Sequence, residues 1–420
     1  MKIFKFGGAS INTIERIKNT GAILQSFSGE KILIIVSAMG KVTNALEKVV
    51  EAFYEGKKEV ALQLFEQVKR THLDTLKYVV TVNWQLAEDQ LKDFFTEVEW
   101  LLHDKPVRDY DYYYDQIVCS GELMSTAIIS SYLNETGLRN KWIDVRDIVR
   151  TDDNFRDATV DITFTQQKTD QVLQPLFDEY DIVITQGFIG STDENESTTL
   201  GREGSDYTAA LFANMLDAES LTIWKDVEGV MNADPKIFPD AAFIAELNYD
   251  EIIEMAYYGA QVIHPKTIKP LQNKGIPLHV RCFLNPGLRG TVISKKAIHH
   301  LPPVIILKED QVLVQLSSKD FSFVGETGIS KLYELFSVLK IKPNLSQTGA
   351  ISILCCLDNK PERIEKLALS ADDFFEVQLE KNLTLLTIRH YTADKISTLT
   401  KGKKILLQQQ TVETVQYLMR

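Results

Sequence analysis

Cysteine is scarce in this chain: four residues in 420, Cys119, Cys282, Cys355 and Cys356, with no pair at CxxC spacing. That excludes a zinc ribbon and a dithiol redox motif, and buried reduced thiols are the expectation, because cysteine is among the most buried residue types. No apolar run approaches the ~18 residues that a membrane-spanning helix needs. The start, Met1-Lys-Ile-Phe-Lys5, has no apolar signal-peptide core. No membrane partner is therefore expected, and the cytoplasm is the expected location. Basic charge is short as well, with 46 Lys and Arg against 58 Asp and Glu and a formal net charge of −12. So acidic a chain lacks the basic footprint of a nucleic-acid binder. Anionic ligands would have to be held by local cations and backbone amides against the global field.

What is present is ordinary globular material, 44% hydrophobic and 25% charged, long enough for two or three domains. Over the first 300 or so residues, short β-rich runs alternate with long amphipathic segments, the pattern of an α/β domain with a largely parallel sheet. Strands are expected at Lys2–Phe6, Lys31–Ser37, Lys141–Asp144, Asp181–Gln186, Ser220–Lys225 and Pro277–Arg281. Ile32-Leu-Ile-Ile-Val36 is apolar throughout, as a strand covered on both faces should be. One long helical stretch is expected between Asn44 and His103. The pattern breaks at 294–303, with His299-His300 and Pro302-Pro303, and a linker is placed there. Beyond it come two βαββ-like passages. The first has strands at Gln311–Ser317, Ile341–Leu345 and Ile351–Leu357 and a helix near Ile329–Leu339. The second has strands at Leu383–His390, Lys404–Gln409 and Thr411–Leu418 and a helix near Ala393–Thr400. They fit two small ferredoxin-like α+β units in tandem.

Three segments carry chemistry. Lys5-Phe-Gly-Gly-Ala-Ser10 follows the first strand, where adjacent glycines and turn N–H groups make an anion cradle with a lysine at its mouth. A plain tight turn would read the same way, but the spacing matches neither a Walker A loop nor a GxGxxG fingerprint. In Thr198-Thr-Leu-Gly-Arg-Glu-Gly-Ser-Asp206, two glycines bracket an arginine ahead of an Ala-rich helix. Capping accounts for Ser205 and Asp206, but not for a bracketed Arg202, whose fork suits a carboxylate or phosphate. Lys225-Asp-Val-Glu-Gly…Ala233-Asp-Pro-Lys236 follows a strand end, where α/β folds bind ligands, though Asp234-Pro235 alone could be a turn.

Together with Val36-Ser-Ala-Met-Gly-Lys-Val-Thr-Asn44, Ser120-Gly-Glu122, Thr185-Gln-Gly-Phe-Ile-Gly190 and Gly259-Ala-Gln-Val-Ile-His-Pro265, these segments resemble the ordered motif series of the aspartate kinases. The resemblance implies the amino-acid kinase fold, a mostly parallel sheet with helices on both faces, over about residues 1–297. It implies tandem ACT regulatory units over 304–420, divided near 370. The implied reaction moves the γ-phosphate of ATP, with Mg²⁺, onto the β-carboxylate of L-aspartate, the first step toward lysine, threonine and methionine. By the same resemblance Lys5 and Asp206 are catalytic. Glu122 takes the substrate ammonium, Arg202 clamps the α-carboxylate, and Ser37, Thr43, Phe188 and Ser205 line the pocket. Lys5, Gly7, Gly8, Ser10, Lys225, Asp226, Met231, Asp234, Lys236 and Gln261 fall on the nucleotide side, and no metal ligands are assigned. An amino-acid effector at the ACT region and a homodimer through that half are further implications.

The chain also departs from the family's pattern. Lys225, Met231, Lys236 and Gln261 stand where the family has threonine, an aromatic, arginine and lysine, and Glu203 stands where it has glycine. A cation lost at 261 and one gained at 225 suggest that Lys225 takes over phosphate neutralisation. Gln347-Thr-Gly-Ala350 lacks the carboxylate that would meet an effector's ammonium, so lysine feedback is not expected. Two other readings stay open: a related amino-acid kinase with another acceptor, and a catalytically impaired, amino-acid-binding regulatory paralogue.

Overall fold

The computed structural model describes residues 1–420 except Gln261, His299, Phe321 and Ser322. The nucleotide-side reading of Gln261 and the linker reading of His299 thus lie outside the described residues. The chain forms two compact units: 1–230 with 243–253 and 262–298, and 231–242 with 254–261 and 299–420.

The first unit contains strands β1 (Lys2–Phe6), β2 (Ile32–Val36), β3 (Asn140–Trp142), β4 (Ile182–Gln186), β5 (Ile189–Ser191), β6 (Ser197–Thr199) and β7 (Ser220–Lys225). After β8 (Val230–Met231) and β9 (Phe243–Ile244) come β10 (Glu246–Asn248), β11 (Leu278–Cys282) and β12 (Thr291–Ser294). Eight of these make one sheet in the order β10-β12-β11-β7-β1-β2-β4-β3. β11, β7, β1, β2, β4 and β3 pair in parallel. All five residues of β2 are buried, as its unbroken apolar run requires.

The helical stretch expected from Asn44 to His103 is three helices: α2 (Val42–Tyr54), α3 (Lys58–Val79) and α4 (Trp84–His103), following α1 (Ile14–Gln25). The first break is a Schellman closure. Gly56 takes φ +77, and the Lys57 N–H donates back to the Ala52 carbonyl at 2.8 Å. Next come α5 (Tyr110–Val118), α6 (Ser120–Glu135), α7 (Ile162–Lys168), the short α8 (Gln174–Leu176) and α9 (Gly204–Met215). α9 packs on β1, β2 and β7, and α6 on β2, β3 and β4. α10 (Tyr249–Tyr258) and α11 (Pro265–Lys274) complete this stretch.

The second unit holds one antiparallel sheet with two long central strands. They are β13 (Val304–Ser318) and β16 (Phe375–Arg389), flanked by β14 (Leu345–Thr348), β15 (Ser352–Asp358), β17 (Ile405–Gln410) and β18 (Thr414–Met419). The two α+β units expected in tandem therefore share their strands. Residues 304–308 of β13 pair with the second half of β16, and 311–318 with the first half, across register shifts between Lys308 and Leu313. The helices are α12 (Glu326–Val338), α13 (Pro361–Ala371) and α14 (Ala393–Thr400). α13 is absent from the sequence reading, although Pro361-Glu362 is a helix-start signal. The strand expected at Ile341–Leu345 begins only at Leu345, because the chain is still closing α12 with Lys340 at φ +51. Cys355 and Cys356 enter opposite cores of this sheet, the first beside Phe336 and Leu367, the second beside Leu385 and Leu418. All four cysteines are free and buried. No helix among the described residues is long and apolar enough to cross a membrane.

One buried ionisable group in the first unit couples stability to pH. His72 of α3 is 0% exposed, with Nδ1 2.7 Å from the Val68 carbonyl. Burial pushes its pKa down to about 4. The unfolded chain takes up this proton below about 6.5 while the folded chain refuses it until about 4, so stability is lost as pH falls through that window. His72→Leu should flatten the fall in unfolding free energy from urea titrations between pH 7 and 4.5, a difference of about 2.4 kcal/mol. Equal pH slopes in the two proteins would remove His72 from the account.

Candidate active site

Parallel pairing brings the carboxyl ends of β1, β2, β4 and β7 side by side, with Phe6 opposite both Val36 and Trp224, and Val36 opposite Gln186. The loops leaving these ends build the site. Lys5, one residue before the end of β1, sends its ammonium to Asp206 Oδ1 at 2.6 Å. Asp206 lies in the first turn of α9 and is 3% exposed. Burial alone would raise its carboxyl, but the Lys5 and Lys225 ammoniums outweigh that and hold it below the ordinary carboxylate value. Removing one partner of so buried a pair strands the other charge.

The glycine pair after β1 has two separate jobs. A Cβ on Gly8 would lie 2.5 Å from the Ala38 carbonyl oxygen, and Gly40 N–H donates to the Gly8 carbonyl at 3.0 Å. Gly8 thus lets the loops after β1 and β2 touch. At Gly7 the nearest neighbour of such a Cβ is the Lys5 ammonium, at 3.4 Å, so the lysine head lies beside open backbone. Ser10 is buried and donates its hydroxyl to the Trp224 carbonyl at 3.3 Å. It ties the segment after β1 to the end of β7. Phe6 stacks on Trp224 beneath them.

A cavity of about 390 Å³ opens over the Lys5–Asp206 pair. Ser37, Thr43, Glu122, Phe188, Arg202 and Ser205, the residues assigned to the acceptor side from sequence, all line it. Glu122, from the first turn of α6, is 2% exposed. One of its oxygens accepts the Ala38 N–H at 3.2 Å, while Oε2 has no hydrogen-bond partner among the described residues. Burial pushes its pKa up to about 8. A buried carboxylate with a spare oxygen on a cavity wall is a seat for a cation. Arg202 is exposed on the cavity wall and is available to an anion.

The rim is conformationally strained. Phe188, Glu203 and Arg156 have φ of +74°, +54° and +70°, in the left-handed region that penalises side chains. Such strain concentrates at functional sites. Close packing explains the intervening glycines: a Cβ on Gly204 would meet the Phe188 ring at 2.7 Å, and one on Gly187 would meet Ser205 Cα at 2.7 Å.

Sequence reasoning missed three residues here. Tyr114 and Arg156 line the cavity. Asp115, buried on α5, accepts from Thr199 N and Oγ1 at 2.8 and 2.7 Å and from Arg156 N at 3.0 Å. Burial raises its pKa to about 6. No motif spacing links positions 115, 156 and 199; only the fold brings them together.

On the nucleotide side, Lys225 at the end of β7 donates to the Val262 carbonyl. Its charge therefore reaches both Asp206 and the Val262 carbonyl. Asp226, next to it, is exposed. Met231, Asp234 and Lys236 belong to segment 231–242 of the second unit. There Asp234 Oδ1 accepts the Lys236 N–H at 2.9 Å and the Asp234 carbonyl accepts from Ile237 and Phe238, a turn with both charged residues exposed.

A model of the amino acid kinase family matches residues 1–282. At 30% identity over 399 residues the chain is similar to the lysine-sensitive aspartokinase 3 of Escherichia coli, covering 92% of this chain and 86% of that protein. The chain belongs to the amino acid kinase family and, within it, to the aspartokinases. It is also 30% identical to the chloroplastic aspartokinase 1 of Arabidopsis thaliana, over 90% of this chain and 67% of that one. Two solved structures of E. coli aspartokinase III share the architecture. The complex with aspartate and ADP matches at TM-score 0.83 and 27% identity, covering 100% of this chain and 96% of that one. The complex with lysine and aspartate matches at 0.82 and 26%, covering 100% and 95%.

In this aspartokinase the Gly8 contact is the least tolerant point of the cradle. Gly8→Ala should lower stability by about 1–3 kcal/mol, because backbone and not a flexible side chain must move. A urea midpoint unchanged from the parent would show that the two loops can separate freely.

Proposed function

We propose that this chain transfers the γ-phosphoryl group of ATP to the β-carboxylate of L-aspartate, forming 4-phospho-L-aspartate, the first step toward lysine, threonine and methionine. The observation that carries the reading is one cavity holding a buried Glu122 with one unpartnered oxygen, an exposed Arg202 and, at its floor, the Lys5–Asp206 pair. A zwitterion with a second carboxylate needs one fixed anion, one fixed cation and a positive reaction floor. Glu122 takes the ammonium and Arg202 the α-carboxylate, while Ser37, Thr43, Phe188 and Ser205 complete the walls. The β-carboxylate, already ionised near pH 7, attacks without a general base.

Phosphoryl transfer is mainly positioning and charge stabilisation. Lys5 faces the charge growing on the transferring group, Asp206 orients Lys5, and the N–H groups of Gly7 and Gly8 supply further donors. Lys225, Asp226, Met231, Asp234, Lys236 and Gln261 are the proposed nucleotide contacts. Ser10 supports the cradle through Trp224. Mg²⁺, bound with ATP, would neutralise phosphate oxygens while keeping several waters. Residues 1–297 are the proposed catalytic region. Residues 304–420, divided near 370, are the proposed ACT pair through which a homodimer would form. Four buried reduced thiols suit the cytoplasm.

The regulatory half is proposed to be deaf to lysine. A cleft of about 430 Å³ in the second unit is lined by Tyr257, Tyr333, Asn344, Thr414 and Gln416, with Lys342 as its one charged residue. It offers no carboxylate for an ammonium, nor does Gln347-Thr-Gly-Ala350. The impaired-paralogue reading is disfavoured by the Lys5–Asp206 pair, whose burial costs stability and gains nothing without a phosphoryl group to meet.

Three measurements test these readings. Hydroxylamine should trap aspartyl phosphate with aspartate and not with glutamate; aspartate bound without trapped product would favour the impaired paralogue. At saturating ATP the KM for aspartate should fall about fivefold from pH 7 to 8, since below about pH 8 Glu122 must first release its proton. Glu122→Gln should abolish that dependence, and a flat profile in the parent would unseat Glu122 as the ammonium site. Lysine at the levels that inhibit a lysine-sensitive relative should leave activity intact, and strong inhibition would refute the effector reading.

A further inference from the structure

Two residues of the cavity rim hold charged side chains in backbone conformations that glycine would adopt at lower cost. Glu203 sits at φ +54 and Arg156 at φ +70. They belong to strands of chain far apart in sequence that the fold lays together: Ala158 N–H donates to the Thr199 carbonyl at 2.9 Å, and a Cβ on Gly201 would lie 3.3 Å from the Arg156 carbonyl. Glu203 is next to Arg202 in the chain, and its Oε2 is buried without a hydrogen-bond partner among the described residues. It therefore adds a negative charge to a rim whose task is to hold a carboxylate. Arg156 adds the opposite charge to the same cavity.

Arg156 is also held in place. Its N–H donates to the buried Asp115 at 3.0 Å. Its guanidinium lies 4.4 Å from the Tyr114 ring centroid and 3.0 Å from Asp111. Stacking on one face leaves a planar fork with donors to spare.

We propose that Arg156 is a second carboxylate-binding cation of the acceptor pocket, joining Arg202 at the α-carboxylate and offsetting the charge that Glu203 brings to the rim. This inference rests on the aspartate reading above. A second carboxylate on the acceptor makes the field of the rim matter twice, since both ends of the substrate carry the charge that Glu203 repels. The competing account is a staple, in which Arg156 only fastens α5 through Asp111.

The test uses the full chain and two readouts, the calorimetric Kd for aspartate and the steady-state KM and kcat with ATP saturating. Both positions accept glycine, so Arg156→Gly and Glu203→Gly remove side chains without backbone conflict, and melting temperatures check the fold. Arg156→Gly should weaken aspartate by about tenfold in Kd and KM, with kcat changed less than about threefold. Arg156→Lys should recover part of the loss, keeping the charge without the fork. In the Glu203→Gly background the same substitution should cost less than about threefold. Asp111→Asn, which cuts the staple and keeps the guanidinium, should also cost less than about threefold. A Kd for Arg156→Gly within about twofold of the parent would overturn the proposal. So would an equal penalty in both backgrounds, or an Asp111→Asn loss matching that of Arg156→Gly. If the parent binds aspartate yet yields no trappable acyl phosphate, the kinase reading fails while the Kd series still decides Arg156.

Discussion

A lysine ammonium and an aspartate carboxylate, 2.6 Å apart and nearly out of water, set the terms for the rest of the first unit. Neither charge would be tolerated there alone, and their attraction offsets desolvation only while the geometry holds. That geometry comes from backbone. The register of β1 between β2 and β7 fixes where Lys5 points. The approach of Gly187 and Gly204 to their neighbours fixes where α9 begins, and hence Asp206. Lys225, entering from the end of β7, adds a second positive charge to the same carboxylate. Around that one carboxylate, two lysine ammoniums leave an excess of positive charge.

Above that pair, the cavity is unusual in how many of its polar groups are left wanting. Glu122 is buried with a spare oxygen, the half-buried Glu203 has one buried oxygen without a hydrogen-bond partner among the described residues, and Arg202 is exposed. Buried polar atoms in folded proteins are normally paired. A cluster that is not paired, on a rim where Phe188, Glu203 and Arg156 all carry positive φ, stores free energy that a ligand of complementary charge can release. Sub-ångström shifts in the supporting contacts, such as Asp115 with Thr199 and Arg156, would be felt directly in that complementarity.

The second unit solves a different problem. Two small α+β units each have an exposed sheet edge. Here β13 and β16 run long enough to serve both units, so the edges merge into one six-stranded sheet. Its two faces are packed separately, which is why adjacent cysteines can both be buried. The register shifts near Lys308 mark where one unit hands the strand to the other.

Much was legible in sequence order alone. Apolar runs located β1, β2, β4 and β7 to within a residue or so, because strands buried on both faces leave no polar interruption. The motif series identified Lys5, Glu122, Arg202 and Asp206, and all of them line one cavity. Helix breaks within 44–103 were not legible, since a glycine closure depends on the φ that the following helix demands. Nor was the shared sheet: the expected strands Gln311–Ser317 and Leu383–His390 cover only parts of β13 and β16, whose polar and charged stretches 308–311 and 376–382 interrupt the apolar pattern. What the sequence by itself determined was the class of fold and the identity of the residues at strand and helix ends, both local consequences of periodicity and residue type. What only the tertiary structure decided was partnership: that Ser10 serves Trp224, that Asp115 holds Arg156, and that Glu203 and Arg156 share a rim. Those are through-space relations of charge and hydrogen bonding between residues up to 214 positions apart, and no local pattern encodes them.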